Sequence, residues 1–218
     1  MTRQIAKLSG VVSTVRDDID TGGDRAMTAA LAFERSTWDE LVQIWQHLDL
    51  PNKAWRAEII EESIVMTPPP GHGHNWIANR VHRVLAREVP DEWGIFQTSG
   101  VAIPLRSSLF IPDVVVIPLD AMPTDDDPTP IPAGCALLAV EITSKSNAER
   151  DRKTKLWSYA HAGVPLYLLI DRFAGDGPSV LLYSEPLDGH YRRLHRVPFG
   201  DPIELPEPFG LTLDTKEF

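Results

Sequence analysis

The chain has 218 residues, 43% of them hydrophobic, and carries a formal net charge of −10 with a pI near 5.1. That size and composition support one well-filled core, and the acidic balance argues against a protein that grips duplex nucleic acid through a broad basic face, since that binding rests on many Lys and Arg contacts to phosphate, while leaving room for a local basic groove. Cys135 stands alone, which excludes an internal disulfide; no run nears the roughly 18 apolar residues of a membrane span, and MTRQIAKLSG lacks the apolar stretch of a secretory signal, so a soluble, cytoplasmic protein is expected.

The first 34 residues mix glycine and charge with short apolar patches and read as a flexible tail, with a helical turn expected over Ala26 to Phe33. A single domain is expected over residues 35–218. It opens on a capping-box pattern, Thr37 with Glu40 or Ser36 with Asp39, followed by Leu41, Ile44, Trp45 and Leu48 at helical spacing. WRAEIIEESIVMTPPP predicts a hairpin turning at Glu61, Glu62 and Ser63, and the prolines Pro68 to Pro70 end it because no central strand tolerates them. GHGHNWIANRVHRVLAREV predicts a second helix, with Ile77, Val81, Val84 and Leu85 on one face and Pro90 as its stop.

Segments 94–105 and 109–118 predict two strands of a meander. The second, with LLAVEITSKS at 137–146, sets a carboxylate, Asp113 and then Glu141, into an otherwise apolar run. An ionised carboxylate taken out of water costs several kcal/mol unless a cation or hydrogen-bond donors compensate it, so the pair points to a divalent-metal site. The ordinary alternative is two strand-end acids facing solvent. The proline-rich loop between them carries Asp125, Asp126 and Asp127, which lack the spacing and glycine of a calcium loop.

After Glu141, AERDRKTKLWSYAHAG has helical periodicity, with Asn147 placed to cap its start and Gly163 to close it. Asp151, Lys155 and Tyr159 lie four apart on one stripe, near the face that packs on the sheet. VPLYLLID then returns as a strand, and SVLLYSEP with HYRRLHRV predicts a hairpin around Leu187 to Gly189. Its stripe Tyr191, Arg192, Arg193, His195 and Arg196 is locally basic, which suits a phosphate contact or simply a solvated face. The elements add up to an α+β core, a mixed β-sheet flanked by α-helices.

The segments AEIIEESIVMTPPPGHGH, IPDVVVIP and LLAVEITSKSNAERDRKTKLWSYAHAGVPLYLLID resemble the Uma-two family of restriction-endonuclease-like proteins, a branch of the PD-(D/E)XK nuclease superfamily. The resemblance covers roughly residues 36–205 and is carried most strongly by VEI, Ser144, and the run from Asp151 through Pro165. It implies a restriction-endonuclease-like fold, a DNA substrate and metal-dependent phosphodiester hydrolysis, with the two superfamily acids falling on Asp113 and Glu141. The superfamily lysine, two residues after the second acid, is replaced here by Thr143; the resemblance moves that role to Lys155 on the following helix, with Lys145 and Lys153 as substitutes. A further family acid falls on Glu58, where Ala57 departs from the family's tyrosine and Glu61 and Glu62 stand at its Asp and Gly positions. His74 matches a histidine common in the family and is open to a structural or a phosphate-positioning role.

The chemistry suits these residue types. Mg²⁺, or Mn²⁺ in its place, takes hard oxygen ligands: Asp113, Glu141, the Ile142 carbonyl and Glu58. Lys155 would orient the attacking water or stabilise charge on the scissile phosphate. Cutting both strands of a duplex implies a homodimer. A catalytically inactive relative binding nucleic acid or protein, and a metal-dependent hydrolase of some other substrate, are the competing expectations; Thr143 and the acidic charge favour the former.

Overall fold

The structure, a computed structural model, describes residues 12–16, 28–32, 37–124 and 129–218. Ser36, Asp125, Asp126 and Asp127 lie outside the described residues. In chain order the elements are β1 (Val12–Arg16), β2 (Thr28–Ala32), α1 (Trp38–Gln46), β3 (Arg56–Ile60), β4 (Ser63–Thr67), α2 (His72–Glu88), β5 (Trp93–Phe96), β6 (Val101–Ile103), β7 (Ser108–Phe110), β8 (Val114–Pro118), β9 (Ile131–Pro132) and β10 (Leu138–Ile142). They continue with α3 (Ala148–Arg150), a π-helical segment (Asp151–Lys155), α4 (Leu156–Ala162), β11 (Leu166–Asp171), β12 (Ser179–Leu187), β13 (His190–Pro198), β14 (Ile203–Leu205) and β15 (Leu211–Leu213). The α+β class of mixed sheet and flanking helices is the one expected. The chain divides into two compact units, residues 1–69 with 104–109, and residues 70–103 with 110–218.

In the first unit β1, β2, β4 and β3 pair antiparallel in that order, and Ile59 of β3 sits opposite Leu109. Thr28–Ala32 is thus a strand, not the helical turn expected there, because β1 and β4 pair with it on both sides. α1 begins with the expected capping box, the Glu40 amide donating to Thr37 Oγ1 at 3.3 Å and the Thr37 amide to Glu40 Oε2 at 2.8 Å. The β3–β4 hairpin turns at Glu61 and Glu62, whose φ values of 47° and 67° belong to the left-handed region. Arg106 holds the Glu61 carboxylate at 2.8 Å, while the Glu61 amide donates to Ser108 Oγ and the Glu62 amide to the Ser107 carbonyl.

The second unit is organised on a six-stranded sheet ordered β13-β12-β11-β10-β8-β5. β10 and β11 run parallel, Leu138 opposite Leu166 through Ile142 opposite Ile170, and the helical stretch between them makes the crossover that parallel neighbours require. Every other pairing in this sheet is antiparallel. β10 and β11 are buried along their full length, which is why LLAVEI and LYLLID are apolar except for Glu141 and Asp171. α2 buries Ile77, Ala78, Val81 and Leu85 in the same cluster as Val114, Val116, Leu138, Val140 and Leu168, each Val, Ile or Leu side chain contributing roughly 1.5–3 kcal/mol. The expected two-strand meander is four short strands, because a bend at Gln97 and Thr98 separates β5 from β6, Pro112 separates β7 from β8, and each piece finds its own partner. Asp188 and Gly189, both at positive φ, close the β12–β13 hairpin with Leu187 opposite His190.

Glu62 occupies a backbone conformation that costs a side-chain-bearing residue energy and costs glycine none. Glu62→Gly is expected to raise the unfolding free energy by about 1 kcal/mol, read as a shift in the chemical-denaturation midpoint without a change in slope.

Candidate functional site

The strand register explains why one short stretch of the second unit collects polar groups. β8 and β10 pair through Val114 opposite Val140, and the ladder continues past them as the Asp113 amide donates to the Val140 carbonyl at 3.0 Å. Asp113 therefore lies at the bend before β8, not within it, because Pro112 cannot join the ladder. From there its Oδ2 accepts the Ile142 amide at 2.8 Å and the His74 Nε2–H at 2.9 Å. His74 points inward because it begins the stripe that Ile77, Ala78 and Val81 continue along α2. Its Nδ1 is buried with no hydrogen-bond partner among the described residues, and because an ionised Asp113 carboxylate can only accept, Nε2 is the donor of this bond.

Glu141, inside β10 and 2% exposed, accepts at Oε1 from Lys155 Nζ at 2.8 Å and from the Tyr159 hydroxyl at 2.9 Å. Lys155 is 3% exposed, lies 3.9 Å from Asp151 Oδ1, and sits 5.4 Å over the Phe110 ring. Its four-residue spacing to Asp151 and Tyr159 does bring the three together, but through a π-helical turn, a distortion found often at functional sites. Lys153 is exposed and bridges Glu149 at 2.7 Å, and Lys145 is exposed, so Lys155 alone of the three is buried beside the acids. Burial, then the charges of Asp151 and Glu141, push the Tyr167 phenol well above its ordinary range; its hydroxyl donates to the Asp151 carbonyl at 2.9 Å.

Thr143 has no exposure, and its Oγ1 accepts the Arg172 amide at 2.9 Å and lies 3.2 Å from Asp171 Oδ1. Arg152 grips the same Asp171 with two 2.8 Å bonds, Nε to Oδ2 and Nη2 to Oδ1. Burial drives the Asp171 carboxyl up, yet Arg152, the Phe173 amide and Thr143 together outweigh it and hold the group below its ordinary value. This cluster was invisible in the sequence, where nothing links a strand-end aspartate to an arginine 19 residues earlier. Asn147 does not cap the following helix as expected; its Oδ1 is taken by the Ser144 amide and hydroxyl at 2.5 and 2.8 Å. Gly163 closes the helix in the left-handed region at φ 76°, as expected.

The structure thus brings together Asp113, Glu141, Ile142 and Lys155 in the second unit and adds His74 and Tyr159 to them. Glu58 lies in the first unit, buried on β3 opposite Val65. On the basic strand, Arg193 pairs with Glu185 and Arg196 with Asp176. Among the described residues no three His, Cys, Asp or Glu side chains form a preformed metal cage, and no helix is long and apolar enough to cross a membrane.

Asp171, charged and held low, contributes stability that is fully present above its unfolded pKa and is lost as pH falls through the lower folded value. Asp171→Asn is therefore expected to cost about 2 kcal/mol at neutral pH, with the gap to the wild-type chain closing as pH falls below about 3.8; denaturation curves at a series of pH values measure it.

The chain also resembles known proteins. A crystal structure of "a putative nuclease belonging to DUF820" from Anabaena variabilis ATCC 29413 superposes with a TM-score of 0.62 at 19% identity, over 84% of this chain and 97% of that one, so the two share a fold. No curated protein matches the chain. The profile of the Uma2 family, described as "Putative restriction endonuclease", matches residues 44–216, and the chain belongs to that family.

Proposed function

We propose that the chain is a metal-dependent endonuclease that hydrolyses DNA phosphodiester bonds at the Asp113–Glu141 pair. The observation that carries this reading is two buried carboxylates, 6% and 2% exposed, Asp113 bonded to the Ile142 amide that directly follows Glu141, with a buried lysine on Glu141. Structure alone would not call for such a group: burying it is costly, and a packed apolar replacement is often as stable. Membership of a family described as "Putative restriction endonuclease" supports the same reading.

The donor set fits Mg²⁺, which is commonly held by one or two carboxylates while retaining water and substrate oxygens, and so needs no three-residue protein cage. Asp113, Glu141 and the Ile142 carbonyl would hold it, and when bound it supplies charge for the phosphate oxygens and lowers the pKa of a bound water. The chain's own residues do the rest. Tyr159 and Lys155 fix the Glu141 carboxylate from one side, and the Ile142 amide and His74 fix Asp113 from the other. The Lys155 ammonium then offers a buried positive charge for the anionic transition state or a donor to orient water. Thr143 cannot take that role, having a short side chain already engaged with Asp171 and Arg172.

Supercoiled and linear DNA incubated with Mg²⁺, Mn²⁺ or EDTA test the proposal. Asp113→Asn keeps an acceptor for the Ile142 amide, so the fold should survive while cutting falls about 100-fold or more, and Lys155→Ala should lose a comparable factor. Cutting by Asp113→Asn at the wild-type rate would overturn the assignment. DNA retention without cutting by the wild-type chain would favour an inactive binding module instead, a reading that Thr143 at the superfamily lysine position supports.

A further inference from the structure

Beside the carboxylate pair the surface changes character. Trp76, on α2 two residues after His74, is 57% exposed although its ring is large and apolar. It is held in place by its Nε1–H, which donates to the Glu217 carbonyl at 3.0 Å, and by Arg80, whose guanidinium lies 5.7 Å from the ring centre and pairs with the Glu217 carboxylate. One turn earlier, a Cβ on Gly73 would stand only 2.9 Å from Arg172 Nη2, so the bare backbone there lets that guanidinium lie against the start of α2. Arg172 in turn sits 5.4 Å over the ring of Phe173, itself 38% exposed, and makes no ion pair among the described residues.

This group is tied to the candidate site on both sides. His74, next to Gly73, bonds Asp113, while the Arg172 amide bonds Thr143, two residues beyond Glu141. A guanidinium with no ion pair among the described residues, over one exposed ring and against the turn of α2 that precedes a second, in a chain of net charge −10, favours one kind of ligand. Phosphates meet the guanidinium, and bases meet the rings, a combination that recurs in proteins that hold single strands. A base inside a duplex offers its face to its neighbours and not to a side chain, so the aromatic rings select unpaired nucleotides.

We propose that Trp76, Arg172 and Phe173 form a stacking surface that holds an unpaired stretch of DNA and delivers its backbone to the Asp113–Glu141 pair. The proposal rests on the nuclease reading and adds the form of substrate. It predicts a preference for single-stranded or frayed DNA over closed duplex.

Fluorescence anisotropy of the full chain with a labelled single-stranded 20-mer and with the same length of duplex, in EDTA to prevent cutting, provides the test. The wild-type chain should bind the single strand more tightly, and Trp76→Ala and Arg172→Ala should each weaken that binding about tenfold, with cleavage in Mg²⁺ showing the loss in KM. Trp76→Phe should restore most of it, which a merely structural role for the Glu217 bond would not do. Arg192→Ala, which removes the same charge from exposed β13, should change binding by less than twofold. A wild-type chain that cuts DNA while Trp76→Ala and Arg172→Ala bind and cut unchanged would overturn the surface and leave the nuclease standing. Equal losses in Arg192→Ala and Arg172→Ala would also overturn it, as general charge. A wild-type chain that neither binds nor cuts DNA would remove both proposals together.

Discussion

The buried pair of Glu141 and Lys155 constrains the second unit more than any other contact. Each charge removed from water costs several kcal/mol, and only close, well-directed partners offset this. Glu141 has two on a single oxygen, and Lys155 has Glu141, Asp151 and the face of Phe110 around it. The carboxylate is fixed by its place in β10, so the helix carrying the ammonium must arrive at a defined phase and height. The π-helical turn over Asp151–Lys155 sets that phase, Arg152 pins the same turn to the end of β11 through Asp171, and Gly163 stops the helix where the chain must re-enter the sheet.

The second carboxylate is placed by independent means. Asp113 sits one residue before β8, held by the backbone of β10 and by a histidine on α2 whose direction follows from the apolar stripe below it. Two helices and two strands therefore each contribute to one small polar region, while the apolar cluster of the sheet and α2 provides the rigidity that keeps donors and acceptors aligned. The aromatic and cationic surface of Trp76, Arg172 and Phe173 grows from the same two junctions, the start of α2 and the end of β11.

Much of this was legible in the chain itself. Apolar runs interrupted by Asp113 and Glu141 marked the strands and their unusual cargo, and the spacing of Asp151, Lys155 and Tyr159 marked an inward stripe, because both signals come from the local periods of strand and helix. Gly163, the Thr37–Glu40 box and the Asp188–Gly189 turn were readable for the same reason: each is a local rule with a specific residue requirement. Contacts set by tertiary register were not. The His74–Asp113 bond spans 39 residues and the Arg152–Asp171 bridge 19, and no periodicity connects them. The strand over Thr28–Ala32 escaped because its alanines suit a helix, and only the neighbouring strands decide otherwise. Asn147 failed as a cap because Ser144 offered its side chain a nearer partner.

Divalent-ion binding itself, independent of any cleavage, bears most directly on the site. Titration of Mn²⁺ into the full chain, followed by electron paramagnetic resonance, should show one saturable site per chain that Mg²⁺ displaces, and Asp113→Asn should weaken it by a factor of ten or more. A chain that leaves Mn²⁺ free in solution, or binds it unchanged in Asp113→Asn, would contradict a metal centre at Asp113 and Glu141.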